Sequence, residues 1–296
     1  MAKKKSRPTP VPPEPLHPLF DAHTHLYSTV RKIVASRGVE IKGRTLTDEE
    51  YATGVQEIMD RAQAVGVTHA CTVGDGLEET VAAVRAAEMD PRVYAAVAVH
   101  PTLAHTVTDH VKTQLEDLAA HPRCVAIGET GLDEYWIGKD EDTAPLEVQE
   151  EIFRWHIDLA VRTGKALMIH NREADQNLLR VLDYAPKPET VIMHCFSSPL
   201  DVAREFLERG YVLSFCGNTT FKRNEELRQA AAEAPQGQFL VETDAPFMTP
   251  EPFRGARNES AYVGYTARVV AEARGCAPEE VALQSSETAR RVFGLA

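Results

Sequence analysis

The chain has 296 residues, 43% of them hydrophobic, which is enough to bury the core of one large domain or two small ones. Its formal charge of −12 excludes a general electrostatic attraction for nucleic acid, so any such contact has to be local. The sequence contains no apolar stretch of about 18 residues and no signal-peptide core, so we expect a cytoplasmic protein without a membrane span.

The first segment, residues 1 to 17, is basic and rich in proline. Such a composition does not pack well, and it predicts a disordered tail ahead of a single folded domain over residues 18 to 296. The five cysteines include no CxxC pair, which favours reduced, structural thiols.

Eight short β-rich runs alternate with longer helical patterns over the rest of the chain. The runs are PLFDAH (18–23), VTHACTV (67–73), VYAAVAV (93–99), CVAIGE (124–129), ALMIH (166–170), VIMHC (191–195), YVLSF (211–215) and QFLVETD (238–244). The intervening segments have the periodicity of amphipathic helices, the first over residues 51 to 65, and two further helical segments follow the last run. Strands that alternate with helices form parallel βαβ units.

The number of these units selects the architecture. Eight repeats over roughly 230 residues match the usual size of a (β/α)8 barrel. An open dinucleotide-binding sheet is the competing fold, but no GxGxxG motif follows the first strand. The sequence therefore predicts an α/β protein, a (β/α)8 TIM barrel with an additional C-terminal helix.

Potential metal ligands stand at or just past the carboxyl end of five of the eight runs. They are His23, His25, Glu129, His170, His194 and Asp244. In a parallel barrel these strand ends meet on one rim, where barrel enzymes have their active sites. Because residues i and i+2 of a strand project from the same face, His23 and His25 are placed to act together.

The chemistry of this set indicates a metal centre. Four imidazoles with two carboxylates suit a transition-type dication such as Zn²⁺ or Mn²⁺, whereas Mg²⁺ alone favours a more oxygen-rich set. Six ligands exceed what one catalytic zinc with an open position needs, so we predict two ions with one carboxylate bridging them. A single histidine at a strand end is more often structural, but six suitable residues at the same rim favour a metal site.

Other residues near the strand ends have more than one interpretation. His100 ends a run and is either a substrate contact, a support for a ligand or a structural residue. Arg172 lies two residues beyond His170 and is a candidate phosphate clamp, because guanidinium offers two parallel donors; an exposed salt bridge is the alternative. Cys195 and Asp21 are interpreted as structural.

Several motifs in order along the chain indicate a family. They are FDAHTHL (20–26), AVHP (98–101), AIGETGLD (126–133), MIHNREA (168–174), MHCFSS (193–198), GYVLSF (210–215), VETDAPFMTPEPFRGARNES (241–260) and ARRVFGL (289–295). The combination resembles the TatD family of metal-dependent hydrolases, within the amidohydrolase-like group of barrels. Each motif alone is unspecific, but together they span nearly the whole chain beyond residue 17.

The resemblance implies a dinuclear site that hydrolyses phosphodiester bonds, as in a deoxyribonuclease. It implies that one metal is bound by His23, His25 and Asp244, that Glu129 is shared, and that the second metal is bound by His170 and His194. Asp244 and Glu129 are then the catalytic carboxylates, with Arg172 and His100 toward the substrate. The cofactors are two divalent ions (Zn, Mn or Mg), and the substrate is DNA or a small phosphodiester, acted on by a chain compatible with a monomer.

Two further questions stay open in the sequence. Residues 27 to 50 are long for a βα loop and contain five basic residues, which predicts either a basic lid over a phosphate backbone or a solvated excursion. The same kind of centre also activates water toward carbonyl carbon, so a hydrolase of a small amide, ester or lactone is the alternative function. The complete ligand set disfavours an inactive binding protein.

Overall fold

The computed structural model describes residues 9 to 295. Eight parallel strands form one sheet in chain order. They are β1 (Leu19–Thr24), β2 (Val67–Thr72), β3 (Val93–Val97), β4 (Cys124–Asp133), β5 (Ala166–Arg172), β6 (Val191–Met193), β7 (Val212–Phe215) and β8 (Phe239–Val241). All eight predicted strands are confirmed, and the differences are confined to the strand ends.

The first and last strands meet at a seam that closes the sheet. Thr24 forms a parallel bridge with Ala245, and the backbone N–H of His25 donates to the Ala245 carbonyl at 2.7 Å. The carboxylate of Asp21 accepts hydrogen bonds from the N–H and the hydroxyl of Thr243, at 2.8 and 2.7 Å. The sheet therefore forms the predicted (β/α)8 TIM barrel, and Asp21 has a structural role at its seam.

Helices follow every strand. They are α1 (Leu26–Ser36), α2 (Asp48–Ala64), α3 (Leu77–Met89), α4 (Asp109–Ala119), α5 (Leu146–Thr163), α6 (Asp175–Tyr184), α7 (Leu200–Glu208), α8 (Glu225–Glu233), α9 (Val263–Arg274) and α10 (Pro278–Val292). The last of these is the predicted additional C-terminal helix. Within residues 9 to 295, every helix is too short or too polar to span a membrane.

Helix α1 corrects the interpretation of residues 27 to 50 as one long loop. Leu26, Val30 and Ile33 recur at helical spacing and are buried against the core. The irregular part that remains before α2 is held by Arg31, whose guanidinium donates to the carbonyls of Arg44 and Ile41 at 2.6 and 2.9 Å. The segment is therefore a helix followed by a short, internally bonded loop.

The core has two layers. One lies between the sheet and the surrounding helices, and the other fills the inside of the barrel with side chains such as Phe20, Met168 and Leu240. Helix α10 covers the amino-terminal end of the barrel, where the ring of Phe293 packs on Phe20 with centroids 5.6 Å apart. The opposite, carboxyl-terminal end remains available for polar side chains.

The predicted tail, residues 1 to 17, falls partly outside the described residues, which begin at residue 9. Leu16 is 2% exposed, and its N–H donates to the Val65 carbonyl at 3.0 Å. The hydroxyl of Tyr265 donates to the carbonyl of Val11 at 3.1 Å. Pro13 and Leu16 are therefore buried against the barrel, while the residues beside them are exposed.

Candidate metal centre

The six predicted ligands converge at the carboxyl-terminal rim. His23 lies in β1 and His25 just after it; Glu129 lies in β4 and His170 in β5; His194 and Asp244 follow β6 and β8. All of them are buried except His170, whose side chain is 15% exposed. The strands therefore bring together in space the residues that the sequence places far apart.

One group of donor atoms surrounds a single point between β1, β4 and β8. The Nε2 atoms of His23 and His25 lie 3.2 Å apart, and Oε2 of Glu129 lies 3.4 and 3.6 Å from them. Oδ1 of Asp244 lies 3.7 Å from the first and 3.3 Å from the second. Atoms bound tetrahedrally to zinc at about 2.1 Å lie about 3.4 Å apart, so the spacing of these four donors fits one dication.

A second group forms around the other oxygen of the same glutamate. Oε1 of Glu129 lies 2.6 Å from Nδ1 of His170 and 3.2 Å from Nε2 of His194. Nε2 of His100 lies 3.6 Å from the same oxygen. The two oxygens of Glu129 therefore face two different sets of imidazoles, with the carboxylate between them.

Three carboxylates that the sequence analysis did not single out stand behind the histidines. Oδ1 of Asp75 lies 3.3 Å from Nδ1 of His25, and Oδ2 of Asp133 lies 3.0 Å from Nε2 of His170. Oε1 of Glu242 lies 2.8 Å from Nδ1 of His194. A carboxylate behind a ligating histidine selects its tautomer and fixes its ring.

Burial and neighbouring charges shift the pKa values of Glu129 and Asp244 in opposite directions. Burial alone would raise the pKa of Glu129, but the positive charges of His194 and His100 and a hydrogen bond from His170 hold it well below its usual range. Burial also acts to raise the pKa of Asp244, but a hydrogen bond from His25 and the positive charges of His194, His25 and His23 together outweigh it, so this pKa is lowered. Both carboxylates are therefore ionised at neutral pH and attract cations into a buried site.

The two predicted substrate contacts have different surroundings. His100 belongs to the cluster itself, and its Nδ1 lies 2.8 Å from the hydroxyl oxygen of Thr102. The guanidinium of Arg172 lies over the ring of Tyr135 at 3.9 Å and over that of Trp136 at 5.5 Å. Within residues 9 to 295, Arg172 forms no ion pair, so the alternative of an exposed salt bridge is not observed.

The basic residues of the segment 27 to 50 are largely used within the protein. In addition to the contacts of Arg31 described above, Arg37 binds Glu57 at 2.5 Å and Arg44 binds Glu50 at 2.8 Å. The ammonium of Lys32 instead lies over the ring of Phe247 at 4.6 Å, beside the metal centre. Of the five basic residues, Lys42 is exposed and Lys32 is the one that contacts the loop after β8, so Lys32 is the candidate for a substrate contact from this segment.

A (β/α)8 barrel that gathers buried histidines and carboxylates at its carboxyl-terminal rim belongs to the class of metal-dependent barrel hydrolases. A family model described as "TatD related DNase" matches residues 20 to 294. The chain therefore belongs to the TatD family, as the motifs predicted, and is a metal-dependent hydrolase.

The relatives agree with this assignment over their full lengths. The chain is 52% identical over 277 residues to "Uncharacterized metal-dependent hydrolase TatD" of Mycobacterium tuberculosis, covering 94% of this chain and 98% of the relative. It is 31% identical over 261 residues to "3'-5' ssDNA/RNA exonuclease TatD" of Pantoea vagans, covering 86% and 98%. The crystal structure of YJJV, a TatD homolog from Escherichia coli, matches with a TM-score of 0.79 at 24% identity, covering 94% and 98%, which supports the fold.

Proposed function

We propose that the chain hydrolyses phosphodiester bonds of DNA with a dinuclear divalent-metal centre. The observation that carries the proposal is the position of Glu129, whose Oε2 faces His23 and His25 while its Oε1 faces His170 and His194. A carboxylate with donors on both sides is suited to bridge two ions.

In this proposal the residues divide between two ions as the resemblance implies. His23, His25 and Asp244 would hold one ion, His170 and His194 the other, and Glu129 both. The nitrogen-rich donor set fits Zn²⁺ or Mn²⁺ better than Mg²⁺. When bound, two such ions lower the pKa of a water molecule toward neutrality and neutralise charge on phosphate oxygens.

The protein's own groups supply the remaining steps. Asp244 is ionised at neutral pH and is placed to accept the proton that the attacking water loses. Arg172 and Lys32 are cations at the rim without a carboxylate partner among residues 9 to 295, and they are suited to contact nonbridging phosphate oxygens. Asp75, which faces His25, would keep that ring in the tautomer that leaves Nε2 free.

Two observations favour phosphate over a carbonyl substrate. The unpaired rim cations match an anionic substrate although the whole chain carries a charge of −12. One relative of nearly the same length is named an exonuclease of single-stranded DNA and RNA. Neither observation favours a neutral amide, ester or lactone.

A substrate panel tests the proposal. Single-stranded DNA, duplex DNA, bis(4-nitrophenyl) phosphate, a lactone and an N-acyl amino acid are each assayed with Zn²⁺, Mn²⁺ and Mg²⁺. We expect turnover of the phosphodiesters, loss of that turnover in Asp244→Asn, and two ions per chain by elemental analysis. Turnover of the carbonyl substrates alone would contradict the phosphodiester assignment, and one ion per active chain would contradict the dinuclear centre.

A further inference from the structure

Two loops at the catalytic rim expose large apolar side chains. Trp136 and Ile137, in the loop after β4, are 38% and 37% exposed, and Phe247 and Met248, in the loop after β8, are 45% and 36% exposed. In a closed sheet of eight strands in chain order, β4 and β8 lie on opposite sides of the barrel. The two loops therefore face each other across the metal centre.

We call these two exposed apolar pairs ledges: Phe247 and Met248 form the ledge after β8, and Trp136 and Ile137 form the ledge after β4. The ledge after β8 contacts the first donor group. The ring of Phe247 stands edge-on against the imidazole of His25, with centroids 5.7 Å apart and an interplanar angle of 82°. The Lys32 ammonium lies 4.6 Å from the centroid of the same ring. Burial lowers the pKa of Lys32 and the negative charge of Asp244 opposes that shift, so the ammonium lies within electrostatic reach of the centre.

The ledge after β4 is built on the second donor group. The N–H of Trp136 donates to Oδ1 of Asp133 at 3.0 Å, and the other oxygen of that carboxylate faces His170. The guanidinium of Arg172 lies over Tyr135 and Trp136, whose rings meet edge to face with centroids 5.0 Å apart. Each side of the centre thus carries a partly exposed aromatic ring with a cation that has no carboxylate partner among residues 9 to 295.

This pairing of groups matches one chemical class of ligand. Exposed aromatic rings stack on unpaired nucleobases, and adjacent cations contact the phosphates that join them. The bases of a duplex are already stacked on one another and cannot reach a ring on either side of one phosphate. A small carbonyl substrate has no group for two opposite ledges.

We propose that Phe247 with Lys32, and Trp136 with Arg172, form two nucleotide subsites that stack the unpaired bases on either side of the phosphate at the metal centre. The inference rests on the proposed phosphodiesterase function and deepens it, because it assigns to named side chains the recognition of unpaired bases, the form of nucleic acid on which the Pantoea vagans relative is named to act. The ledges then select single strands by contacting their bases, while the metal centre between them contacts only the phosphate.

The first experiment compares an oligothymidylate with the same oligomer carrying tetrahydrofuran abasic residues around the cleaved bond. We expect Phe247→Ala and Trp136→Ala each to lower the ratio of kcat/KM on the two substrates by about 10-fold. The ratio isolates the base contact, because damage to the metal centre lowers both values. Tyr184→Ala removes an aromatic ring that is 83% exposed away from the rim, and the ratio should not change.

The second experiment measures binding without turnover. The chain has two tryptophans, so Trp155→Phe leaves Trp136 as its single indole fluorophore. In the metal-loaded variant, an oligothymidylate with hydrolysis-resistant phosphorothioate linkages should quench this emission, whereas a blunt duplex or the abasic oligomer should not. Equal quenching by all three, or none by any, would overturn the subsites.

The two proposals fail in different ways. Cleavage of DNA with an unchanged substrate ratio in both alanine variants removes the subsites and leaves the phosphodiesterase. Absence of phosphodiester turnover with every metal, together with quenching by the single strand alone, removes the hydrolytic assignment and keeps the subsites as a binding site.

Discussion

The same eight strands form both ends of the barrel, but one end is packed with apolar side chains and the other carries the candidate metal centre. At the amino-terminal end, α10 covers the barrel interior, and the ring of Phe293 packs on that of Phe20. At the carboxyl-terminal end the strands terminate in buried or half-buried histidines and carboxylates, which form groups whose ligand atoms lie within 4.8 Å of one another. Packing at the amino-terminal end stabilises the fold without using the residues of the candidate metal centre. The fold can therefore hold a cluster of buried polar groups at its carboxyl-terminal end.

The largest effect should come from removing the shared carboxylate. Glu129→Gln keeps the size of the side chain but removes the charge that faces both donor groups, so we expect kcat to fall by at least about 10³-fold. Elemental analysis should find fewer bound ions, and the circular dichroism spectrum should not change. Glu134→Gln, at the same rim, is the matched control and should retain its metal. Full metal content in Glu129→Gln would contradict the bridging role.

The opposite end should respond in stability rather than in activity. Phe293 is 5% exposed, and Phe293→Ala should lower the free energy of unfolding by about 3 kcal/mol, through lost burial and a residual cavity. Denaturant titration measures this change, and kcat at 25 °C should stay within about twofold while the protein is folded. Phe293→Leu should cost less. A large drop in kcat would mean that the two ends are coupled.

A smaller effect should follow from the carboxylate behind His194. Glu242 also accepts hydrogen bonds from the N–H of Cys195 and the hydroxyl of Ser214, so it holds the loop as well as the ring. Glu242→Gln should weaken metal affinity or activity by about 10- to 100-fold. A metal titration followed by calorimetry measures it, and an unchanged affinity would assign Glu242 to structure alone.

The smallest effect concerns a structural contact at the catalytic end. Hydrogen bonds from Arg44 and from the Thr47 backbone lower the pKa of Glu50, at the start of α2, from 4.5 to about 2. Because the folded state binds this proton more weakly, the contact stabilises above pH 4.5 and is lost as the pH falls toward about 2. The difference in Tm between the wild type and Glu50→Gln should therefore shrink over that range. A constant difference would exclude the ionised contact.

Much of this architecture could be predicted because the spacing of hydrophobic residues and the position of polar residues can be read in short stretches of sequence. The eight strands follow from short β-rich runs, and the candidate ligands follow from polar residues at strand ends. Helix α1 was missed although Leu26, Val30 and Ile33 have helical spacing, because four β-branched residues in its sequence weaken the helix signal and its apolar face is recognisable only against the core.

The carboxylates behind the histidines could not be predicted in the same way. Asp133 reaches His170 through the register of β4 with β5, and Asp75 reaches His25 from the loop after another strand. These pairs depend on which strands are neighbours and on side-chain rotamers, neither of which is local in sequence. Arg44 likewise looked available to a substrate until its partner Glu50 was located.

The contact between Phe20 and Phe293 has a consequence for how the molecule is made. Phe20 lies in the first strand and Phe293 lies just after the last helix. The amino-terminal end of the barrel therefore stays open to water until α10 has emerged from the ribosome. The seam between β1 and β8 likewise cannot form until β8 has been synthesised. We therefore expect partly synthesised chains to expose interior side chains such as Leu240.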